Sequence, residues 1–248
     1  MKWKMIALAA CLAASSCFSV GAYDISQLAA KTLPKGFTYK EIEEPQSVSF
    51  WGQEVPYQMG QLQVTLKKQQ AFSSGYIIRT KLPDSMEKGL RPFFRLNRDE
   101  KVWKILNQMN RALWNEESPL RKNIESTMKT LAVNALGPIA EKDVKVSISD
   151  IEPMRRLSAD EAYVYTAGGV ITFDSGGLLL PMYCRTYFFP GDHGLDVLML
   201  FTPNEGKGPL VYAIDDLAQA AATESILGRE GYRNLGEILG EQESSSQI

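Results

Sequence analysis

The single histidine of the chain lies in a short polar segment, residues 190–194 (PGDHG). Histidine is the side chain whose ordinary pKa lies closest to neutral pH, so His193 is a candidate general base, oriented by Asp192 or Asp196. However, glycine and aspartate beside it are also the residues that favour tight turns. We therefore expect His193 to lie at the polar tip of a hairpin and not in a catalytic centre.

Cys184 is a second candidate, because a thiol of lowered pKa is a good nucleophile. It lies in an apolar run, residues 178–189, in which alternate side chains of a strand point to opposite faces. This alternation predicts that Cys184 is a small residue of the core and does not act as a nucleophile. The side chains that share its face are mostly large and apolar: Leu178, Leu180, Met182, Cys184 and Phe188.

The other face of the same run carries aromatic side chains and one guanidinium group. Tyr183, Arg185 and Tyr187 project together from it, flanked by Leu179 and Phe189. Tyrosine and arginine are enriched where binding energy is concentrated, so we predict Tyr183, Arg185 and Tyr187 as binding residues. The alternative is a sheet face covered by a helix, with Arg185 paired to a carboxylate.

The sequence contains no recognisable cofactor or catalytic motif. It has no GxGxxG, P-loop or GxSxG pattern. The pair Gly168-Gly169 lies inside an apolar strand, where it predicts a bulge or a close approach of the backbone. Beyond Cys11 and Cys17 there is one cysteine, and with one histidine this excludes the usual zinc sites. We predict no catalytic residue, no metal site and no cofactor.

The first 22 residues have the features of a secretory signal peptide. Lys2 and Lys4 give a positive start, residues 5–18 are mostly apolar, and residues 20–22 (VGA) supply the small side chains that signal peptidase recognises. The apolar run is shorter than the ~20 residues that a spanning helix needs. We expect cleavage after residue 22, so that the mature chain starts at Tyr23 and is exported to the periplasm, the cell surface or the medium.

Lipid anchoring is the alternative fate of this leader. Residues 8–11 (LAAC) resemble the lipobox of bacterial lipoproteins, in which the cysteine is acylated, and Cys17 is a second candidate for acylation. Cys11 leaves only a short apolar stretch after Lys4, and the residues before Cys17 lack the usual leucine. Both observations favour simple cleavage.

The composition of the mature chain excludes several kinds of partner. Loss of the leader removes two lysines and no acidic residue, which moves the formal charge from −2 to −4. A mildly acidic chain has no basic surface for nucleic acid or anionic lipid. No apolar run after residue 22 is long enough to span a membrane. Cys184 would be the only mature cysteine, so packing must stabilise the chain in place of disulfides.

The early and late parts of the mature chain show strand patterns, and the middle is helical. Residues 24–32 predict a short opening helix, and a turn at residues 73–75 (SSG) joins two early strands. Apolar residues three and four apart predict two middle helices, the second beginning at Ser118. The predicted strands are residues 37–42, 48–51, 62–66, 76–82, 144–149, 163–173, 178–189 and 195–202.

The late strands have further signals. Residues 174–177 (DSGG) predict a hairpin, and residues 195–202 are apolar on both faces, which is typical of a central strand. Asp215 or Asp216 then caps a last helix that ends near residue 228. This order predicts an α+β fold with a mainly antiparallel sheet packed against helices in a single domain, residues 23–240. A polar tail, residues 241–248, is expected to be disordered.

The order of elements resembles that of PsbP-like domains, which are exported α+β sandwiches. The resemblance implies a role in binding or assembly and implies no functional residue. Together with the leader, it leads to the hypothesis of an exported, non-enzymatic protein that binds an envelope protein or a small ligand. The alternative is an exported hydrolase that uses Asp192, Asp196 or Asp215, since paired carboxylates leave no sequence motif.

Overall fold

The computed structural model describes residues 24–50, 53–66, 71–81, 99–136, 144–158, 163–191 and 194–225. Several sequence-based predictions fall outside these residues. They are the leader and its cleavage site, acylation at Cys11 or Cys17, the position of Asp192 and His193, and the polar tail at residues 241–248.

The described residues form eight strands and four helices, which confirms the predicted α+β class. The helices are α1 (Ile25–Thr32), α2 (Asp99–Trp114), α3 (Pro119–Leu136) and α4 (residues 208–225). None of these four helices is long and apolar enough to cross a lipid bilayer. The strands are β1 (Phe37–Phe50), β2 (Gln53–Leu66), β3 (Ala71–Lys81), β4 (Val144–Ser149), β5 (Arg155–Ser158), β6 (Tyr163–Ser175), β7 (Leu178–Gly191) and β8 (Gly194–Pro203).

The strands form one open, antiparallel sheet in the order β1-β2-β3-β8-β7-β6-β4. Strand β5 also pairs with β6, next to β4 along the same edge, since β7 occupies the other edge. Strand β8 lies in the middle of this order, and residues 197–201 are buried whichever face they point to. This confirms the prediction of a central strand covered on both faces.

Each face of the sheet carries its own hydrophobic core. On the α2–α3 face, Leu120, Ile124 and Met128 of α3 pack on side chains from most of the strands. On the opposite α4 face, α1 and α4 pack on the sheet, and α4 brings small residues such as Ala218 and Ala222 against it. Alanine lets a helix approach a sheet closely, so this interface has little room for anything else.

Two helices begin where the sequence predicts. The side chain of Asp24 accepts hydrogen bonds from the backbone N–H groups of Ser26 and Gln27, at 2.8 and 3.3 Å, and so caps α1. Ser118 caps α3 in the same way, because its hydroxyl oxygen accepts from the backbone N–H of Arg121 at 3.1 Å. Pro119 occupies the first helical position, where a missing N–H costs nothing.

The predicted hairpin between β6 and β7 is also present. Gly176 and Gly177 have φ of 61° and 87°, the left-handed values that a two-residue turn requires. The backbone N–H of Gly177 donates to the side chain of Asp174 at 3.0 Å. Leu178, predicted to belong to the core, instead lies at the base of this turn and is 75% exposed.

The predicted turn at residues 73–75 is wrong. These residues lie inside β3, paired with residues 62–64 of β2, and pairing continues to Leu66 and Ala71. A Cβ atom at Gly75 would lie 2.9 Å from the carbonyl oxygen of Phe201, so this glycine allows β8 to approach closely. A glycine next to serines predicts a turn equally well, and only the pairing register distinguishes the two roles.

The last helix starts earlier than predicted. Helix α4 is already formed at residue 208, so Asp215 lies inside it and does not cap it. Leu210, Ile214 and Leu217 recur at the spacing of a buried helix face. Asp215 is next to this face, and it therefore points towards the sheet instead of towards solvent.

Candidate functional site

The three predicted binding residues lie together on β7, on the α4 face of the sheet. Tyr183, Arg185 and Tyr187 alternate along the strand, and each is at most 6% exposed. The sequence therefore identified residues that share a surface, but α4 covers that surface and Arg185 is paired to carboxylates. This is the alternative that the sequence left open, and a role in binding stays a prediction for these three side chains.

Arg185 forms ion pairs with two carboxylates from different parts of the chain. Its Nε and Nη2 donate to Oδ1 and Oδ2 of Asp215, at 3.1 and 3.2 Å. Its Nη1 donates to Oε2 of Glu152 at 3.1 Å. The planar guanidinium group is suited to such bidentate pairing with a carboxylate. One buried cation thus joins α4 to the connection between β4 and β5.

The two tyrosines complete this arrangement. The hydroxyl of Tyr183 donates to Oε1 of Glu152 at 2.8 Å, and the hydroxyl of Tyr187 donates to Oδ1 of Asp215 at 2.7 Å. Burial raises the pKa of Tyr183 to about 12 and raises the pKa of Tyr187 well above its ordinary value, so both phenols stay protonated and can donate. We call Glu152, Tyr183, Arg185, Tyr187 and Asp215 the Arg185 network.

Glu152 reaches this network by crossing β6 at Gly168. A Cβ atom at Gly168 would lie 2.7 Å from the hydroxyl oxygen of Tyr183 and 2.9 Å from Oε2 of Glu152. Both distances are shorter than a carbon atom tolerates, so glycine is the residue that leaves room for the crossing. The pairing of β6 with β7 is continuous through Gly168 and Gly169. The close approach predicted from this pair is therefore present, and the bulge is not.

The loop that carries Glu152, residues 150–154, is held by helix α2. The side-chain amide of Asn110 donates to the carbonyl oxygen of Glu152, and its oxygen accepts from the backbone N–H of Met154, both at 3.2 Å. The backbone N–H of Glu152 donates to the carbonyl oxygen of Gly168 at 2.7 Å. Asp150 begins the loop with a φ of 46°. The main chain of Glu152 is thus held from the α2–α3 face. Its carboxylate accepts hydrogen bonds from Tyr183 and Arg185 on the α4 face.

A cavity of about 110 Å³ lies on the α2–α3 face, between the helices and the sheet. Its floor consists of small residues on two adjacent strands: Ala167 and Gly169 of β6 are paired with Thr186 and Cys184 of β7. The flanking positions on the same face carry large side chains. Because the four small residues lie next to one another, they leave a space between the sheet and the helices that the flanking side chains do not fill. The flanking side chains are Tyr165, Ile171, Met182 and Phe188.

The roof of the cavity is apolar and firmly attached. Leu113 of α2 and Met128 of α3 contribute to it, and no charged side chain of the described residues lines the cavity. Arg121 connects the two helices to the sheet, since its Nη1 donates to the carbonyl oxygen of Leu113 at 3.1 Å and its Nη2 to that of Ile148 at 2.7 Å. These buried hydrogen bonds hold the roof at a fixed distance from the floor.

Cys184 lines this cavity and packs against the hydrophobic core of the α2–α3 face, as its parity on β7 predicts. Burial raises the pKa of its thiol to about 11, which opposes the nucleophilic thiolate form. Its sulfur lies 3.9 Å from Oγ1 of Thr186. Cys184 and Gly168-Gly169 give separate signals in the sequence. The cavity could not be predicted from these signals, because the register that places Gly169 opposite Cys184 is not local.

The two remaining predicted acids that the structure describes, Asp196 and Asp215, do not line the cavity. Asp196 is buried on β8, and its Oδ2 accepts from Nη2 of Arg79 at 3.2 Å. Asp215 belongs to the Arg185 network. In the part of the chain that the structure describes, no three His, Cys, Asp or Glu side chains are grouped so as to hold a metal ion.

Comparisons with protein-family models, curated proteins and solved structures find no match for this chain. The similarity to PsbP-like domains, which concerned the order of elements alone, stays a prediction. The geometry of the two faces is therefore the basis for any functional proposal.

Proposed function

We propose that the protein is an exported, non-enzymatic binding protein whose cavity between the α2–α3 pair and the sheet holds a small ligand. The observation that carries this proposal is the block of four small residues, Ala167, Gly169, Cys184 and Thr186, beneath an anchored helical roof. Ligand sites are concave and mostly apolar, and this cavity has both properties.

The rigid surroundings of the cavity support the same proposal. Arg121 fixes the roof to β4, and Asn110 fixes α2 to the 150–154 loop. A preformed space costs little ordering entropy when a ligand enters it. The Arg185 network then acts as a support: it holds the 150–154 loop from the opposite face, so that the wall at Ile151 keeps its position.

A hydrolase that uses carboxylates has less support. Asp215 accepts three hydrogen bonds, two from Arg185 and one from Tyr187, and Asp196 is paired with Arg79. A general acid or base must be free to exchange a proton with substrate. Neither carboxylate lines the cavity. These observations favour binding over hydrolysis as the function.

Benzene is a suitable first probe, because an apolar cavity of ~150 Å³ is known to hold this ring and the present cavity is of the same order. We expect calorimetry on the mature protein to detect benzene binding. Ala167→Val should weaken it, because the added methyl groups project from the floor. Thr172→Val on the opposite face of β6 is the matched control and should bind as the wild type does. Failure of the wild type to bind any small apolar probe would contradict the proposal.

Export is tested separately from binding. N-terminal sequencing of the protein from the producing cell should give Tyr23 as the first residue. A first residue of Cys11 or Cys17 that carries a lipid mass would make the protein a lipoprotein instead. Protein that retains residues 1–22 and stays in the cytoplasm would overturn the export part of the proposal.

A further inference from the structure

The floor of the cavity contains one hydroxyl group whose hydrogen bonding is weak. Within the described residues, Oγ1 of Thr186 has a single hydrogen-bond partner, the sulfur of Cys184 at 3.9 Å. A thiol is a poor donor and a poor acceptor. A hydroxyl can donate once and accept twice, so most of the capacity of Thr186 is unused.

The rest of the lining offers little competition for a polar group. Both the nitrogen and the oxygen of the Asn110 side-chain amide form a hydrogen bond with the 150–154 loop. Gly168 and Gly169 lie in paired strands, where backbone groups bond across the sheet. The other side chains are apolar. A ligand therefore meets the hydroxyl of Thr186 in a mostly apolar space.

We infer that the cavity takes an uncharged, compact apolar molecule that carries one hydroxyl or carbonyl oxygen, and that Thr186 is the residue that recognises this oxygen. The inference rests on the proposed function and adds the chemical class of the ligand. A charged ligand does not fit, because none of the described residues that line the cavity carries a charge and an unpaired ion is costly to bury. The volume of about 110 Å³ limits the apolar body to roughly one ring or a short branched chain.

The experiment compares phenol with benzene on the mature protein by isothermal calorimetry. The two probes differ by one oxygen, so the change in their affinity ratio between the wild type and Thr186→Val reports the hydrogen bond. One additional hydrogen bond contributes ~1 kcal/mol, which corresponds to about fivefold tighter binding of phenol. Thr186→Val keeps the shape of the side chain and removes the hydroxyl. We expect this variant to lose the preference for phenol and to bind benzene at least as well as the wild type does.

Thr172→Val is the matched control, because it makes the same substitution on the neighbouring strand outside the cavity. It should keep the preference for phenol. Equal affinities of the wild type for both probes, or an unchanged phenol preference in Thr186→Val, would overturn the role of Thr186 and leave the proposed cavity intact. Failure of both probes to bind would instead remove the proposed function itself. Thermal unfolding of each variant verifies that it is folded at the temperature of the titration.

Discussion

Glu152 and Arg185 meet across Gly168: Oε2 of Glu152 lies 3.1 Å from Nη1 of Arg185, with the glycine of β6 beneath the carboxylate. The main-chain carbonyl oxygen of Glu152 accepts a hydrogen bond from Asn110 on the other face of the sheet. Glu152 therefore connects the ion pairs beneath α4 to the wall of the cavity beneath α2 and α3. The two faces of the sheet are mechanically linked through the 150–154 loop.

Removal of one carboxylate from the Arg185 network should destabilise the fold. Asp215→Ala leaves Arg185 buried with one anion and removes the acceptor of the Tyr187 hydroxyl. Breaking a buried ion pair from one side costs ~3 kcal/mol, so we expect a loss of about that size in the free energy of unfolding. Urea unfolding measures it. Asp216→Ala, at the exposed neighbouring position, is the control and should change stability by less than ~0.5 kcal/mol. Equal effects of the two substitutions would show that the network does not stabilise the fold.

Any side chain at residue 168 should disturb the crossing of Glu152. Gly168→Ala places a methyl group 2.7 Å from the Tyr183 hydroxyl oxygen, and overpacking of this kind costs ~1–3 kcal/mol. In contrast, Gly208→Ala at the start of α4 meets nothing within 4 Å and should be neutral or slightly stabilising.

A double substitution tests the cause of the strain at residue 168. In Gly168→Ala with Tyr183→Phe, the closest clashing atom is absent, so the combined loss of stability should be smaller than the sum of the single losses. Urea unfolding of the four proteins gives the coupling energy. Additive losses would mean that the methyl group clashes elsewhere.

The sequence predicted most of the elements and only part of the site. Alternation along residues 178–189 correctly separated the core face of Cys184 from the face of Arg185, because this signal is local. Glu152 and Asp215 were not predicted as partners of Arg185, since they lie 33 and 30 residues away along the chain. Such contacts depend on which strands pair and in which register. Strand β5 was also missed, because four residues are too few for a periodic signal.

The two hydrogen bonds between Asn110 and the 150–154 loop should stabilise the fold. Asn110→Ala leaves the carbonyl oxygen of Glu152 and the N–H of Met154 without these partners, and each unsatisfied buried group costs ~1–3 kcal/mol. We expect lower stability in urea and faster hydrogen exchange at Met154. Gln108→Ala, at an exposed position of the same helix, should leave both unchanged. Unaltered exchange in Asn110→Ala would show that Asn110 does not hold the loop at Met154.

High pH should weaken the fold through Tyr183. Burial raises the pKa of this phenol from 10.0 to about 12, so between these values the folded chain holds a proton that the unfolded chain releases. Stability from this group is complete below pH 10 and falls as the pH rises towards 12, because the unfolded state then binds fewer protons. Urea unfolding from pH 9 upwards should show a steeper decline in the wild type than in Tyr183→Phe. Parallel declines would mean that the phenol titrates normally.

Cys184 should react slowly with thiol reagents while the protein is folded. Burial raises the pKa of this thiol from 9.0 to about 11, so at neutral pH the reactive thiolate is about 100-fold rarer than in an exposed cysteine. Alkylation of the chain from residue 23 onwards by iodoacetamide, followed by mass spectrometry, should therefore be slow, accelerate as the pH rises from 9 to 11, and become fast in urea. Cys184→Ser should show no labelling under any of these conditions, which identifies the modified residue. Rapid labelling of the native protein at neutral pH would contradict the core assignment and restore Cys184 as a candidate nucleophile at the floor of the cavity.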